Sequence, residues 1–189
     1  ADKNKLFSTL YQKAMEGDKD CGGMIACNYY SGEPVTGLEE GRPMFLRRPD
    51  SHLGLANFMR SHLYASLATL KIGLDILLKE EDVKIDSITG HGGLFKTKGV
   101  GQSILAAAMN APISVMETAG EGGAWGMALL AAYMLSQKDG QSLGDYLDSR
   151  VFAERKSETM EPDLADVAGF ETYTKQYQAC LAAEKAAVQ

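Results

Sequence analysis

One long apolar stripe between Ser51 and about Lys79 limits the possible folds more than any other feature of the sequence. Apolar residues recur there at three- and four-residue steps, which predicts a long amphipathic helix. Ser51 is a good N-cap residue and is expected to begin this helix. The stripe consists of Leu55, Met59, Leu63, Leu67, Leu70, Leu74, Leu77 and Leu78.

Shorter helical and strand-like segments alternate around this helix. The further predicted helices are 5–16, closed by Gly17, then 100–110, 121–136, 143–147 and a long one after Pro162, and the predicted strands are 24–27, 44–46, 85–89 and 113–116. Asn110 is the expected stop of the helix over 100–110. The segment 121–136 is almost wholly small or apolar, which predicts a helix packed on more than one side, with Trp125 in the core. The alternation predicts an α/β fold with helices covering the sheet.

Composition and charge narrow the classes of partner. A chain of 189 residues suits one domain, and its formal net charge of −6 argues against nucleic acid or an anionic membrane as a partner. No apolar run reaches bilayer length, and no signal peptide is recognisable. Cys21, Cys27 and Cys180 are expected to be buried free thiols in a reducing cytoplasm. Because the chain begins with Ala1 rather than Met, we expect a processed product or a fragment.

A glycine cluster gives the strongest indication of function. The β-prone run Ile88-Thr89 ends at Gly90-His91-Gly92-Gly93, and a new apolar-periodic segment begins within a dozen residues. Glycine backbone turns sharply and can lie flat against a ligand. A helix that opens beyond such a turn directs free N–H groups at an anion such as phosphate. The segment therefore predicts a nucleotide site, with a purely structural tight turn as the alternative.

Known phosphate motifs do not fit this cluster. A Walker A loop would need Gly-Lys-Ser/Thr, and a dinucleotide fingerprint would need the G-x-G-x-x-G register.

His91 either contacts a ribose or phosphate or simply fills the turn, and Lys96 and Lys98 either offset phosphate charge or are solvated.

No catalytic residue or metal ligand is predicted within the chain. Glu33 and Glu121 border glycines without a partner for proton transfer. His52 and His62 are too far apart on the predicted helix to share a metal ion.

Three stretches, in order, resemble the C-terminal portion of the FGGY sugar kinases, particularly xylulokinase-like and ribulokinase-like members. Residues 23–33 (GMIACNYYSGE) are similar to an apolar strand that ends in a Y-x-x-G-E loop. Residues 91–94 (HGGL) are similar to the adenosine turn G-G-G-A, and residues 109–113 (MNAPI) through 126–132 (GMALLAA) resemble the end of the family pattern. The aromatic helix over 170–183 also resembles the way these kinases end.

The resemblance implies an actin/hexokinase-type (ribonuclease H-like) ATPase fold, of which this chain would be the second half of a two-domain kinase. It implies one domain fragment over 1–189, with an entry helix at 1–20, an α/β nucleotide-binding core at 21–137 and C-terminal helices at 138–189. Gly92, Gly93 and Leu94 would support the adenosine, and Thr97 would lie against the adenine. ATP and Mg²⁺ are the implied cofactors.

The resemblance also implies which parts of the kinase lie outside this chain. The sugar pocket, the aspartate general base and the phosphate loops would belong to an N-terminal domain of the same polypeptide, so the fragment by itself is expected to be inactive. The implied activity is transfer of the γ-phosphoryl of MgATP to a ketopentose hydroxyl, in the cytoplasm, and a homodimer is a further expectation. Two alternatives stay open: a non-catalytic actin-like interaction module and a Rossmann-like dinucleotide-binding domain.

Overall fold

The computed structural model describes residues 2–85, 88–116, 122–137, 140–153 and 157–187. Its helices are α1 (Lys3–Ala14), α2 (Leu55–Lys79), α3 (Val100–Met109), α4 (Gly122–Ser136), α5 (Leu143–Tyr146) and α6 (Leu164–Ala187). Its strands are β1 (Met24–Cys27), β2 (Met44–Arg47), β3 (Ile88–Gly90), β4 (Ile113–Met116) and β5 (Ser157–Met160). The predicted α/β alternation is confirmed.

The strands form two small sheets. β1 and β2 pair as an antiparallel hairpin, with Met24 opposite Arg47. In the second sheet the order is β3-β4-β5, with β3 parallel and β5 antiparallel to the central β4. The connection from β3 through α3 to β4 is therefore a parallel β-α-β crossover, and it places the carboxyl ends of β3 and β4 at one edge of the sheet.

The core lies between α2, α3, α6 and β1. All four residues of β1 are buried, which explains why a short, wholly apolar run could be recognised as a strand. Three aromatic residues, Tyr64, Phe170 and Tyr173, are fully buried, and the ring centroids of Tyr64 and Phe170 are 4.4 Å apart. α3 is buried over nearly its whole surface and ends at Asn110, whose φ of 48° confirms the predicted stop.

The predicted start of α2 is wrong. The helix begins at Leu55, and Gly54 occupies the N-cap position. The Ser51 hydroxyl instead accepts a hydrogen bond from the Arg48 N–H at 2.9 Å and donates one to the Gly23 carbonyl at 3.0 Å. Ser51 therefore joins the β1–β2 hairpin region to the loop before α2, and it does not cap the helix.

The predicted environment of α4 is also wrong. Along its described length α4 has no buried residue, and Met134 and Leu135 are 74% and 91% exposed. Trp125 is half-buried and contacts the ring of Phe152, and Tyr133 contacts the ring of Tyr146. The described chain thus covers one side of α4 and leaves the other apolar side open.

Two smaller differences concern strands. β3 begins at Ile88, whereas the prediction began at Ile85, and residues 86 and 87 lie outside the described residues. β5 was not predicted, since Ser157-Glu158-Thr159-Met160 is polar and mostly exposed. Among the described residues all three cysteines are free; Cys21 and Cys27 are buried as expected, whereas Cys180 is only partly buried.

Candidate functional site

The glycine turn lies directly beyond the carboxyl end of β3. Gly90, the last residue of β3, pairs with Val115 of the parallel strand β4. Gly92 has a φ of 108°, which L side chains rarely adopt, so this position requires glycine. Within the part of the chain that the structure describes, a Cβ placed on either Gly92 or Gly93 would meet no atom within 4 Å. The turn therefore presents bare backbone at the sheet edge where α/β folds bind ligands.

The strand side of the turn is covered by Phe95. A Cβ placed on Gly90 would lie 2.4 Å from the Phe95 ring, so this contact requires glycine at position 90. The Phe95 N–H donates to the Gly92 carbonyl at 3.1 Å and closes the short 3₁₀ turn Gly93–Lys96. Phe95 thus holds the turn on the strand while Gly93 remains exposed.

Leu94 packs against α3. A Cβ placed on Gly101 would lie 2.7 Å from Leu94 Cγ, so the helix and this side chain approach closely. Leu94 belongs to the partly buried residues that pack on the core. Its side chain therefore anchors the glycine turn to α3 and lines neither of the two cavities described next.

Thr97 lies at the junction of two cavities. The first, which we call the α1 cleft, has a volume of about 510 Å³ and is lined by Asn4, Phe7, Ser8, Tyr11, Gly93, Lys96 and Thr97. The second, the β4 cleft, has a volume of about 530 Å³ and is lined by Phe95, Thr97, Lys98, Gly99, Gln102, Val115, Met116, Ser157 and Glu158. Thr97 is 8% exposed, and its Oγ1 lies 3.4 Å from Ser8 Oγ of α1.

The remaining candidates of the glycine segment lie on either side of the turn. His91 is exposed, and a Cβ placed on Gly122, the first residue of α4, would lie 3.2 Å from His91 Cβ. His91 therefore sits where the turn meets the start of α4. Lys98 Nζ lies 3.0 Å from Glu158 Oε2, an exposed ion pair beside the β4 cleft. Lys96 is exposed and lines the α1 cleft.

The other titratable residues considered for catalysis have structural contacts. Glu33 accepts a hydrogen bond from the Val35 N–H, and Glu121 lies outside the described residues. His52 Nδ1 lies 3.1 Å from Asp18 Oδ2, and His62 Nδ1 lies 3.1 Å from Asn28 Nδ2. Within the described ranges, no three His, Cys, Asp or Glu side chains are grouped closely enough to hold a metal ion.

Sequence reasoning missed the contribution of α1 to this site. Asn4, Phe7, Ser8 and Tyr11 follow one another at the i, i+3, i+4, i+7 spacing of a single helix face. The apolar residues whose helical spacing predicted a helix over 5–16 are Leu6, Leu10, Ala14 and Met15. Phe7, an aromatic residue outside this apolar set, is the feature of the sequence that could have indicated a binding surface on α1.

Comparison with known proteins identifies the family. Residues 1–135 match the model of the C-terminal domain of the FGGY family of carbohydrate kinases, which is more than half of the chain. The chain therefore belongs to the FGGY family of carbohydrate kinases. No curated protein sequence matches it.

Similar solved structures agree on the fold. Xylulose kinase from Rhodospirillum rubrum is 18% identical, with a TM-score of 0.67, over 97% of this chain and 34% of that one. Gluconate kinase from Lactobacillus acidophilus is 18% identical, with a TM-score of 0.69, over 95% and 35%. Plasmodium falciparum glycerol kinase with ADP is 18% identical, with a TM-score of 0.65, over 94% and 33%.

These comparisons confirm the predicted fold class. The mixed α/β structure matches the C-terminal domain of the FGGY sugar kinases, which have the actin/hexokinase-like fold. The chain spans about a third of the length of the solved structures that it matches. Separately, none of the helices in the described residues combines the length and apolar character needed to cross a membrane.

Proposed function

We propose that the chain is the ATP-binding C-terminal portion of a carbohydrate kinase, which transfers the γ-phosphoryl of MgATP to a sugar hydroxyl. The observation that carries the proposal is the open backbone at Gly92 and Gly93, at the carboxyl edge of the parallel strands. Membership of the kinase family supports it. A ketopentose such as xylulose or ribulose is the proposed substrate class, and the likeness to solved xylulose kinases is consistent with it.

The residues of the turn fit a nucleoside. Because a Cβ at Gly92 or Gly93 would meet no atom of the described residues within 4 Å, the described part of the chain leaves both positions open to a ligand. Thr97 would offer a hydroxyl at the cavity junction, next to Ser8. Leu94 would act through its packing on α3, which fixes the position of the turn.

The phosphate chemistry belongs to other parts of the proposed kinase. Phosphoryl transfer depends on positioning the reactants and on neutralising the negative charge of the phosphates. Mg²⁺ bound to the nucleotide would supply the neutralising positive charge. We assign no Mg²⁺ ligand and no general base to this chain. Both are proposed to come from an N-terminal domain, which would close over the nucleotide and the sugar and exclude water.

An exposed apolar surface supports the need for further polypeptide. α4 carries no charged residue and leaves Met127, Met134 and Leu135 more than two-thirds exposed. Apolar patches of this kind usually mark an interface. Since the chain spans about a third of the structures it matches, we propose that the remaining kinase polypeptide covers α4. The same observation favours the second candidate, a non-catalytic interaction module of the actin type.

Nucleotide titration separates these candidates. Saturation-transfer NMR detects weak ligands, and we propose it for the 189-residue chain with MgATP, MgADP and NAD in turn. Saturation transfer to the adenosine protons of MgATP and MgADP supports the kinase proposal. Transfer to NAD alone would support a dinucleotide site, and no transfer to any nucleotide would support the interaction module.

The domain is proposed to act in the cytoplasm.

A further inference from the structure

α1 and the glycine turn face each other across one cleft. Gly93 and Thr97 form one wall of the α1 cleft, and Asn4, Phe7 and Ser8 lie along the other. Gly93 and Thr97 are two of the residues proposed above to contact adenosine. The volume of about 510 Å³ falls within the roughly 300–1,000 Å³ usual for small-molecule sites.

We propose that α1 forms the second wall of the adenosine site and that Phe7 contacts the purine ring. This inference rests on the proposed function, because it assumes that the glycine turn binds a nucleotide. It assigns a binding role to α1, which the sequence analysis interpreted only as an entry helix. The ligand class is a purine nucleoside phosphate.

The α1 cleft suits adenosine better than the neighbouring β4 cleft. Gly93, the exposed glycine of the turn, lines the α1 cleft but does not line the β4 cleft. The β4 cleft is flanked instead by the ion pair between Lys98 and Glu158. A base bound on the backbone of Gly93 would therefore extend towards α1.

Phe7 has the properties of a stacking platform. It is 56% exposed, although a large apolar side chain gains free energy by burial. Phe7 lines the same cleft as Gly93. Aromatic rings stack on any base, since every base presents a π face, and removing such a ring usually weakens binding by roughly 5- to 150-fold. For Phe7 we therefore expect a loss of affinity of about fivefold or more.

Polar residues on the same face of α1 complete the wall. Asn4 and Ser8 are four residues apart and flank Phe7. An asparagine amide offers both a donor and an acceptor, which suits the edge of a purine. Ser8 Oγ lies 3.4 Å from Thr97 Oγ1, so the two walls approach each other at this point.

Substitution of Phe7 tests the inference. We expect Phe7→Ala to raise the dissociation constant for MgATP about fivefold or more in the NMR titration, and Phe7→Tyr to leave it close to wild type. Leu6→Ala is the matched control, because Leu6 is the preceding residue of α1, is 50% exposed and does not line the cleft. Equal affinities of Phe7→Ala and wild type would overturn the inference. Loss of affinity that is the same for Leu6→Ala would overturn it as well.

Different results would overturn the proposed function and the role of α1. If wild type binds MgATP and Gly93→Val abolishes binding while Phe7→Ala does not weaken it, the function stands and the role of α1 is wrong. If wild type binds no adenine nucleotide, both are wrong.

A labelling experiment covers the case in which Phe7→Ala does not fold. Irradiation of the wild-type chain with 8-azido-ATP should label the tryptic peptide Leu6–Lys13. Labelling of the peptide that carries the glycine turn, with none on Leu6–Lys13, would overturn the role of α1.

Discussion

Arg60 of α2 and Asp166 of α6 form an ion pair in the interior of the protein, where they are 0% and 5% exposed. Arg60 also donates through Nη1 to the carbonyls of Ala14 and Met15 at the end of α1. One guanidinium therefore joins three helices. Because α1 is a wall of the proposed adenosine site, this buried pair also fixes the position of that wall.

Removal of the Arg60 charge should destabilise the fold strongly. Arg60→Met leaves the buried Asp166 carboxylate with Lys19, 2.8 Å away, as its described cationic partner. Breaking a buried ion pair typically costs about 3–5 kcal/mol, and urea unfolding would measure that loss. Lys13→Met is the control, since it breaks the exposed pair of Lys13 with Glu16 and should cost less than about 1 kcal/mol. Equal losses for the two variants would contradict the role of Arg60.

Two helix glycines should respond in opposite directions to alanine. A Cβ on Gly169 of α6 would lie 2.2 Å from the Lys19 carbonyl oxygen, whereas a Cβ on Gly126 of α4 would meet none of the described atoms within 4 Å. Gly169→Ala should lower the free energy of unfolding by about 1–3 kcal/mol through overpacking. Gly126→Ala should raise it by about 0.5–1 kcal/mol, because alanine favours the helix. Thermal unfolding of both variants gives the comparison, and a stable Gly169→Ala would contradict the packing.

His62 should make the protein less stable in mild acid. Burial lowers the pKa of the imidazole below its ordinary value of 6.5, and the ring contacts Phe58 at a centroid distance of 4.5 Å. The unfolded chain therefore binds a proton more readily, so this contribution to stability is complete above about pH 6.5 and is lost as the pH falls towards the folded pKa. His62→Gln should flatten the dependence of the unfolding free energy on pH between about pH 7 and pH 5. An unchanged slope would contradict the assignment.

The open side of α4 should drive self-association of the chain when it is studied by itself. Leu135 is 91% exposed, so Leu135→Lys should change the unfolding free energy by no more than about 0.5 kcal/mol. It should nevertheless shift the sedimentation profile towards monomer, because a charge interrupts the apolar surface. A wild-type chain that remains monomeric at high concentration would argue against self-association through the apolar side of α4.

Local features explain which elements the sequence could predict. β1 was predicted with its observed bounds because four apolar residues lie between glycines and a polar loop. The end of α3 was predicted because Asn110 tolerates the left-handed conformation. The turn at Gly92 was recognised for a similar reason, since its positive φ favours glycine.

Long-range contacts explain what was missed. β5 is polar, and its strand conformation depends on pairing with β4 and on the Gln102 amide, which donates to the Glu158 carbonyl at 2.8 Å. The α1 cleft depends on the contact of Ser8 with Thr97, which are 89 residues apart in sequence. No local pattern encodes either contact.

Binding of MgATP to Gly93→Val tests the central claim most directly. None of the residues that the structure describes lies within 4 Å of a Cβ at Gly93, so the fold should be preserved, but the valine side chain would cover the backbone on which adenosine is proposed to lie. Gly54→Val is the control, because Gly54 is equally unobstructed and lines neither cleft. We expect Gly93→Val to abolish the saturation transfer to MgATP and Gly54→Val to retain it. Undiminished binding by a folded Gly93→Val variant would contradict the account.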